Sequence, residues 1–151
     1  MKKTGIGVVG CGNISGIYLK TLGRFEHLSL IACADIIPDR AAARAQEFGI
    51  QSMGVDELLA DGRVEIVVNL TIPLAHAEVS SAAIAAGKHI YSEKPLAVSR
   101  QEGRSILDAS AKRGLRAGCA PDTFLGAGLQ TCRKLIDDGV IGEPVACHAF
   151  M

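Results

Sequence analysis

Gly10-Cys11-Gly12-Asn13-Ile14-Ser15 joins an apolar run, Ile6, Val8 and Val9, to a segment whose apolar residues recur at helical spacing, Ile14, Ile17, Tyr18 and Leu22. A buried strand that turns sharply into a helix through Gly-x-Gly is the context of a dinucleotide-binding fingerprint. At Gly10 the absent side chain permits the tight turn. At Gly12 it lets the backbone approach a pyrophosphate, and the helix N-terminus beyond offers unpaired N–H groups to the anion. The third glycine of the pattern is replaced by Ser15, with Gly16 beside it, and a small residue there still allows close helix–strand packing. Taken alone, glycines in a β–α connection also serve purely backbone needs.

The second run, Leu28 to Ala34, reads as another buried strand and ends on Asp35, 23 residues after Gly12. A carboxylate at that distance accepts the adenosine ribose hydroxyls. It also repels a 2′-phosphate, and Ile36 and Ile37 supply no arginine to neutralise one, which favours NAD over NADP. Arg40 lies close enough in sequence to bear on that choice. The other reading of Asp35 is a turn or cap residue ahead of Pro38.

In 151 residues, 48% of them hydrophobic, there is room for one compact domain with a core able to cover a parallel sheet. Sixteen basic residues balance sixteen acidic ones, with no basic stripe interleaved with aromatics, which argues against a nucleic-acid partner. Met1-Lys2-Lys3-Thr4 runs straight into the first strand without the apolar region of about 7–15 residues that marks a secretion signal. No apolar run reaches about 18 residues, so no membrane span is expected and the chain reads as cytoplasmic. Five cysteines at wide, irregular spacing form no metal-binding pattern. They read as reduced thiols that mostly fill core positions, with Cys11, inside the glycine turn, the one placed beside a cofactor and open to alkylation.

Strand-like and helical runs alternate along the chain. Strands are expected at Gly5 to Val9, Leu28 to Ala34, Gln51 to Met53, Glu65 to Leu70, His89 to Tyr91 and Leu115 to Ala117. Helices are expected over 14–23, Arg40 to Phe48, Asp56 to Leu59, Pro73 to Ala86, and from Ser99, with Glu102 completing a capping box, to Arg113. That order implies an α/β fold, a Rossmann-type doubly wound parallel sheet, over residues 1–120. From Pro121 the pattern changes to a loop, a helix over Gly128 to Ile136, a turn at Asp138-Gly139 and an alternating strand from Val145 to Phe150. A strand opening there suggests that 121–151 is cut from something longer; the alternative is an edge strand completing the first sheet.

Ligands of open parallel sheets sit at the carboxyl ends of the strands, and the residues there are polar: Thr71-Ile72-Pro73 with His76, Ser92-Glu93-Lys94-Pro95, and Pro121-Asp122. Lys94, between Glu93 and Pro95, is held on a short, stiff loop. It is suited to orient a substrate hydroxyl, or to exchange protons if removed from water. A solvated Glu-Lys turn is the plainer reading.

Glu93-Lys94-Pro95, the preceding Ala85-Ala86-Gly87-Lys88-His89-Ile90 and the Gly10/Gly12 turn together resemble the glucose–fructose oxidoreductase and inositol dehydrogenase family (Gfo/Idh/MocA) of nicotinamide-dependent enzymes. The resemblance spans nearly the whole chain. Thr71-Ile72-Pro73 with His76 is similar to the family's loop under the cofactor, and Ile141-Gly142-Glu143-Pro144-Val145 to its entry into the second domain. The resemblance implies that Gly10, Gly12, Asn13 and Ile14 contact the pyrophosphate and Asp35 the ribose. It places Thr71, Pro73 and His76 along the path from adenosine to nicotinamide, Glu93 at the nicotinamide ribose, and Lys94 at the substrate. Asp122 stands where many relatives carry an Asn-Arg type sequence, and its role, like that of Gln130, stays open. The implied reaction is hydride transfer between NAD(P) and a hydroxyl-bearing carbon of a sugar, cyclitol or related polyol, in a parent that forms homo-oligomers. The chain alone is expected to bind cofactor without turnover. A free-standing NAD sensor and a biliverdin-reductase-like enzyme are the other readings.

Overall fold

The computed structural model describes residues 2–148. The chain divides into two compact units, one ending at Ala120 and the other starting at Pro121.

The first unit alternates strand and helix: β1 (Thr4–Val9), α1 (Ser15–Leu22), β2 (Leu28–Ala34), α2 (Pro38–Phe48), β3 (Gln51–Met53), α3 (Val55–Ala60), β4 (Ile66–Asn69), α4 (Pro73–Ala85), β5 (His89–Ser92), α5 (Arg100–Lys112) and β6 (Ala117–Cys119). The strands form one six-stranded sheet in the order β3-β2-β1-β4-β5-β6, and every adjacent pair is parallel. Strand order reverses between β1 and β4, which makes their carboxyl ends the crevice where this architecture takes its ligands.

Both faces of the sheet are buried, and successive side chains of each strand divide between two cores. Ile6, Val8, Cys33 and Val68 pack with Leu19, Ala41 and Ala45 from α1 and α2. Val9, Ala32, Ala34, Val67 and Ile90 pack with Leu58, Ala83, Ile84 and Ile106 from α3, α4 and α5. Alanine is the residue that α2 presents to the sheet, which lets that helix sit close. The helix ends follow local chemistry. Pro38 and Pro73 open α2 and α4, Gly49 closes α2 in the left-handed conformation, and Ser99 and Glu102 form the expected capping box of α5.

Two expected strands differ from the sequence reading. The final strand of the sheet is Ala117–Cys119, two residues later than Leu115 to Ala117. The Leu115 N–H still serves the end of α5 by donating to the Ser110 carbonyl, and the Arg116 N–H donates to His89 Nδ1. Ladder pairing with β5 therefore begins only at Ala117 opposite Ile90. The strand expected over Val145 to Phe150 is absent from residues 145–148, and Ala149 and Phe150 lie outside the described residues. The second unit holds a 3-10 turn (Thr123–Leu125) and helix α6 (Ala127–Asp137).

At the amino edge of the sheet, Lys88 is 8% exposed. Its ammonium donates to the carbonyls of Asp61 (2.8 Å) and Val64 (2.9 Å), the segment that leads from α3 into β4. A buried cation is tolerated only with such partners. Lys88→Met strands the Val64 carbonyl and leaves that of Asp61 only the Val64 N–H, and it is expected to lower the unfolding free energy by about 2–3 kcal/mol, measured by urea denaturation followed by circular dichroism. A loss under about 0.5 kcal/mol, the range of ordinary surface changes, would refute this role.

Candidate functional site

Directly after β1, Gly10 takes φ +102°, and a Cβ there would stand 2.5 Å from the Leu70 carbonyl carbon. Only glycine fits, because both the left-handed backbone and the space forbid a side chain. Gly12 is the opposite case: a Cβ built on it meets nothing within 4 Å, so the missing side chain leaves open space above the backbone. Among the described residues no acceptor takes the N–H of Gly12, Asn13 or Ile14. The first turn of α1 carries no acidic residue. Open space, undonated amides and the positive end of a helix are the elements of an anion cradle, and they fit a dinucleotide pyrophosphate.

Ser15, in the third-glycine position, is fully buried. Its hydroxyl donates to the Gly12 carbonyl at 2.6 Å and accepts from Arg44 Nε at 3.0 Å. The Arg44 guanidinium lies over Gly16, where a Cβ would come within 3.2 Å of it. The departure from glycine thus adds a stitch between the turn and α2, and Gly16 provides the close approach.

Asp35 closes the other side of the turn. Its Oδ2 accepts the Cys11 N–H at 2.7 Å and its Oδ1 the Ile37 N–H at 2.8 Å. Asp35 is thus the turn residue ahead of α2 that one sequence reading expects, and its half-buried carboxylate borders the cradle. Arg40 is exposed on α2, and no ion pair joins it to Asp35 among the described residues.

After β4 and β5 the chain builds a buried polar cluster. Asn69, fully buried, donates from Nδ2 to the His76 carbonyl (3.0 Å) and Ser80 Oγ (3.1 Å), while its Oδ1 accepts from Thr71 N (3.2 Å) and Oγ1 (2.6 Å). His76, also buried, sets Nε2 3.0 Å from the Thr71 carbonyl and Nδ1 2.6 Å from the Pro95 carbonyl. It ties the loop after β4 to the Glu93-Lys94-Pro95 loop, where the Lys94–Pro95 peptide is cis. The Glu93 N–H donates to the Asn69 carbonyl. Its carboxylate accepts the Tyr18 hydroxyl at 2.7 Å and the Lys94 N–H at 2.9 Å. Lys94 and Pro73 are exposed.

The fold thus brings Gly10, Gly12, Asn13, Ile14, Asp35, Thr71, Pro73, His76, Glu93 and Lys94 to the carboxyl edge of β2, β1, β4 and β5. Asp122 belongs to the second unit, exposed ahead of the 3-10 turn. Gln130 there donates to the Phe124 carbonyl. Sequence reading missed Tyr18, counted for its ring and not its hydroxyl, and Asn69, whose signal is a lone amide in an apolar run.

Residues 4–120 match the family model described as oxidoreductase family, NAD-binding Rossmann fold. Inositol 2-dehydrogenase of Salmonella typhimurium is 31% identical over 149 residues, which cover 94% of this chain and 44% of that enzyme. Among solved structures, a 3-ketoreductase from Actinomadura kijaniata, in complex with NADP and TDP-benzene, superposes with a TM-score of 0.87 at 30% identity, covering 94% of this chain and 44% of that one. The WlbA dehydrogenase from Bordetella pertussis, in complex with NADH and UDP-GlcNAcA, gives 0.85 at 26% identity, covering 91% and 40%. The chain spans less than half the length of each.

The cysteines depart from expectation. Only Cys11 and Cys33 are buried; Cys119 is half-buried, and Cys132 and Cys147 are exposed. Cys11 lies in the glycine turn, but its thiol points inward to the Ala34 carbonyl. Its hydrogen bond with Cys33, then burial, push that thiol well above the usual range. The thiolate is the reactive form. Iodoacetamide at mildly alkaline pH is therefore expected to modify Cys132 and Cys147 in the native chain and to reach Cys11 only in denaturant, read by peptide mass spectrometry. Cys11 reacting as fast as Cys132 would show its thiol open to solvent.

Proposed function

The chain belongs to the oxidoreductase family that carries an NAD-binding Rossmann fold, and from that premise we propose that it holds NAD(H) for an enzyme oxidising or reducing a hydroxyl-bearing carbon of a sugar, cyclitol or related polyol. The observation that carries this is the cradle over Gly12, open above its backbone and bordered by the Asp35 carboxylate. In this reading the N–H groups of Gly12, Asn13 and Ile14 bind the pyrophosphate, with Gly10 shaping the turn. Asp35 accepts the adenosine ribose hydroxyls. Thr71, Pro73 and His76 line the course toward nicotinamide, Glu93 accepts from the second ribose, and Lys94 orients the substrate hydroxyl. When bound, the nicotinamide supplies the hydride acceptor or donor.

Relatives with NADP and with NADH are both represented, so cofactor choice rests on this chain's own residues. A carboxylate at Asp35, with Arg40 unpaired to it, disfavours a 2′-phosphate. The substrate class is supported by relatives named inositol 2-dehydrogenase and 1,5-anhydro-D-fructose reductase. Residues 121–151 are read as the start of a substrate domain, and residues 1–151 as competent to bind cofactor but not to turn over sugar. Turnover needs the substrate held near attack distance away from water, an effect worth roughly 7–11 kcal/mol, whereas Lys94 here is exposed.

Calorimetric titration of residues 1–151 with NAD, NADH, NADP and NADPH tests this. NAD(H) is expected to bind at least about tenfold more tightly than NADP(H), as one charge contact of about 1.4 kcal/mol requires. Because Asp35 also braces the turn, Asp35→Ala should weaken all four ligands, and the diagnostic is the collapse of the NAD-to-NADP ratio. No binding, or a ratio unchanged in the variant, overturns the assignment; hydride transfer to a polyol by this chain alone overturns the division of labour.

A further inference from the structure

Glu93 opens the loop after β5, and a glutamate side chain in that setting has three rotatable bonds to fix before its oxygens can meet a ligand in one geometry. The structure holds each oxygen once. Oε2 takes the N–H of the next residue, Lys94, at 2.9 Å. Oε1 takes the hydroxyl of Tyr18 at 2.7 Å, from a residue 75 positions earlier.

Tyr18 is well placed to impose that geometry. It belongs to α1, one turn beyond Ile14, so its backbone is rigidly joined to the amides of the anion cradle. β4 lies between β1 and β5, so a link from the helix after β1 to the loop after β5 spans about two strand spacings, roughly 10 Å. A long, stiff side chain meets that demand with two torsions to fix. The ring is half-buried and packs against the core that holds Ile6, Leu19 and Val68, so packing sets the position of the hydroxyl. A hydroxyl donating to an ionised carboxylate is among the stronger neutral-donor hydrogen bonds.

We propose that Tyr18 is a positioning residue for Glu93, fixing its carboxylate so that the remaining lone pairs meet the ribose at the nicotinamide end of the cofactor. The inference rests on the NAD-holding reading above. It gives α1 two tasks along one ligand: its first turn takes the pyrophosphate, and its second turn sets the group that takes the distal ribose. A merely structural Tyr18 would brace α1 and affect every part of the ligand alike.

The test compares NAD with ADP, which shares the adenosine half and the phosphates but lacks the distal ribose. Tyr18→Phe keeps the ring and its packing, and circular dichroism with a melting curve checks that the fold is kept. The variant is expected to lose roughly tenfold in NAD affinity, as for a hydrogen bond to a charged group, while ADP affinity stays within about twofold, the resolution of such titrations. In a Glu93→Ala background, Tyr18→Phe should change NAD affinity no further, because the two groups act as one unit. Equal losses for NAD and ADP, no loss for NAD, or additive effects of the two substitutions would each overturn the proposal. Wild-type chain that binds ADP but no more tightly binds NAD would overturn it too, while leaving the adenosine half of the cofactor reading intact. Failure to bind either ligand would remove the cofactor reading itself, and this inference with it.

Discussion

Two hydrogen bonds from one carboxylate organise this site. Asp35 receives the Cys11 amide with one oxygen and the Ile37 amide with the other, and so joins the turn after β1 to the entry of α2. Without that brace the Cys11 amide would have to find another acceptor, since the Ala34 carbonyl is already taken by the Gly10 N–H. Because Cys11 N–H is spent on Asp35, the amides left to an incoming anion are those of Gly12, Asn13 and Ile14. The brace also explains the reinforcement by Ser15 and Arg44 on the far side of the same turn: the backbone is held from both flanks, and the face between them stays open.

The opposite wall of the crevice uses a different strategy. Asn69, Ser80, Ser92 and His76 are buried polar residues at the carboxyl end of β4 and β5 and on the helix between them, and among the described residues no buried side-chain nitrogen or oxygen lacks a partner. A half-satisfied cluster in a low-dielectric interior would be costly, whereas a complete one fixes its members in a single arrangement. Here the completeness is what makes the Glu93-Lys94-Pro95 loop stiff. Its carbonyl at Pro95 is bound by His76 and its amide at Glu93 by the Asn69 carbonyl.

Most of the fold was legible from the residues because apolar periodicity and punctuation agreed. Leu28–Ala34 and Gln51–Met53 are the strands expected, and Ser99 with Glu102 caps the helix it should. The strand after α5 was displaced because Leu115 reads equally well as strand or helix end, and only the hydrogen bond to Ser110 decides. The run Val145 to His148 alternates like a strand but pairs with nothing among the described residues, and alternation without a partner makes no strand. Within the site, motif residues were legible because glycine and the Glu-Lys-Pro loop demand specific backbone. Tyr18 and Asn69 were not, since their importance lies in contacts 75 and 11 residues away that no local pattern encodes.

Gly10 and Gly12, two positions apart, carry separate burdens. A methyl at the first collides with the main chain of Leu70, and a methyl at the second touches nothing. Mutational drift at Gly12 is therefore invisible to selection for folding, while drift at Gly10 is purged by it. A duplicated copy of such a gene has an open path to becoming a well-folded scaffold that no longer takes dinucleotide, through one substitution that costs the protein no stability and leaves its abundance in the cell unchanged.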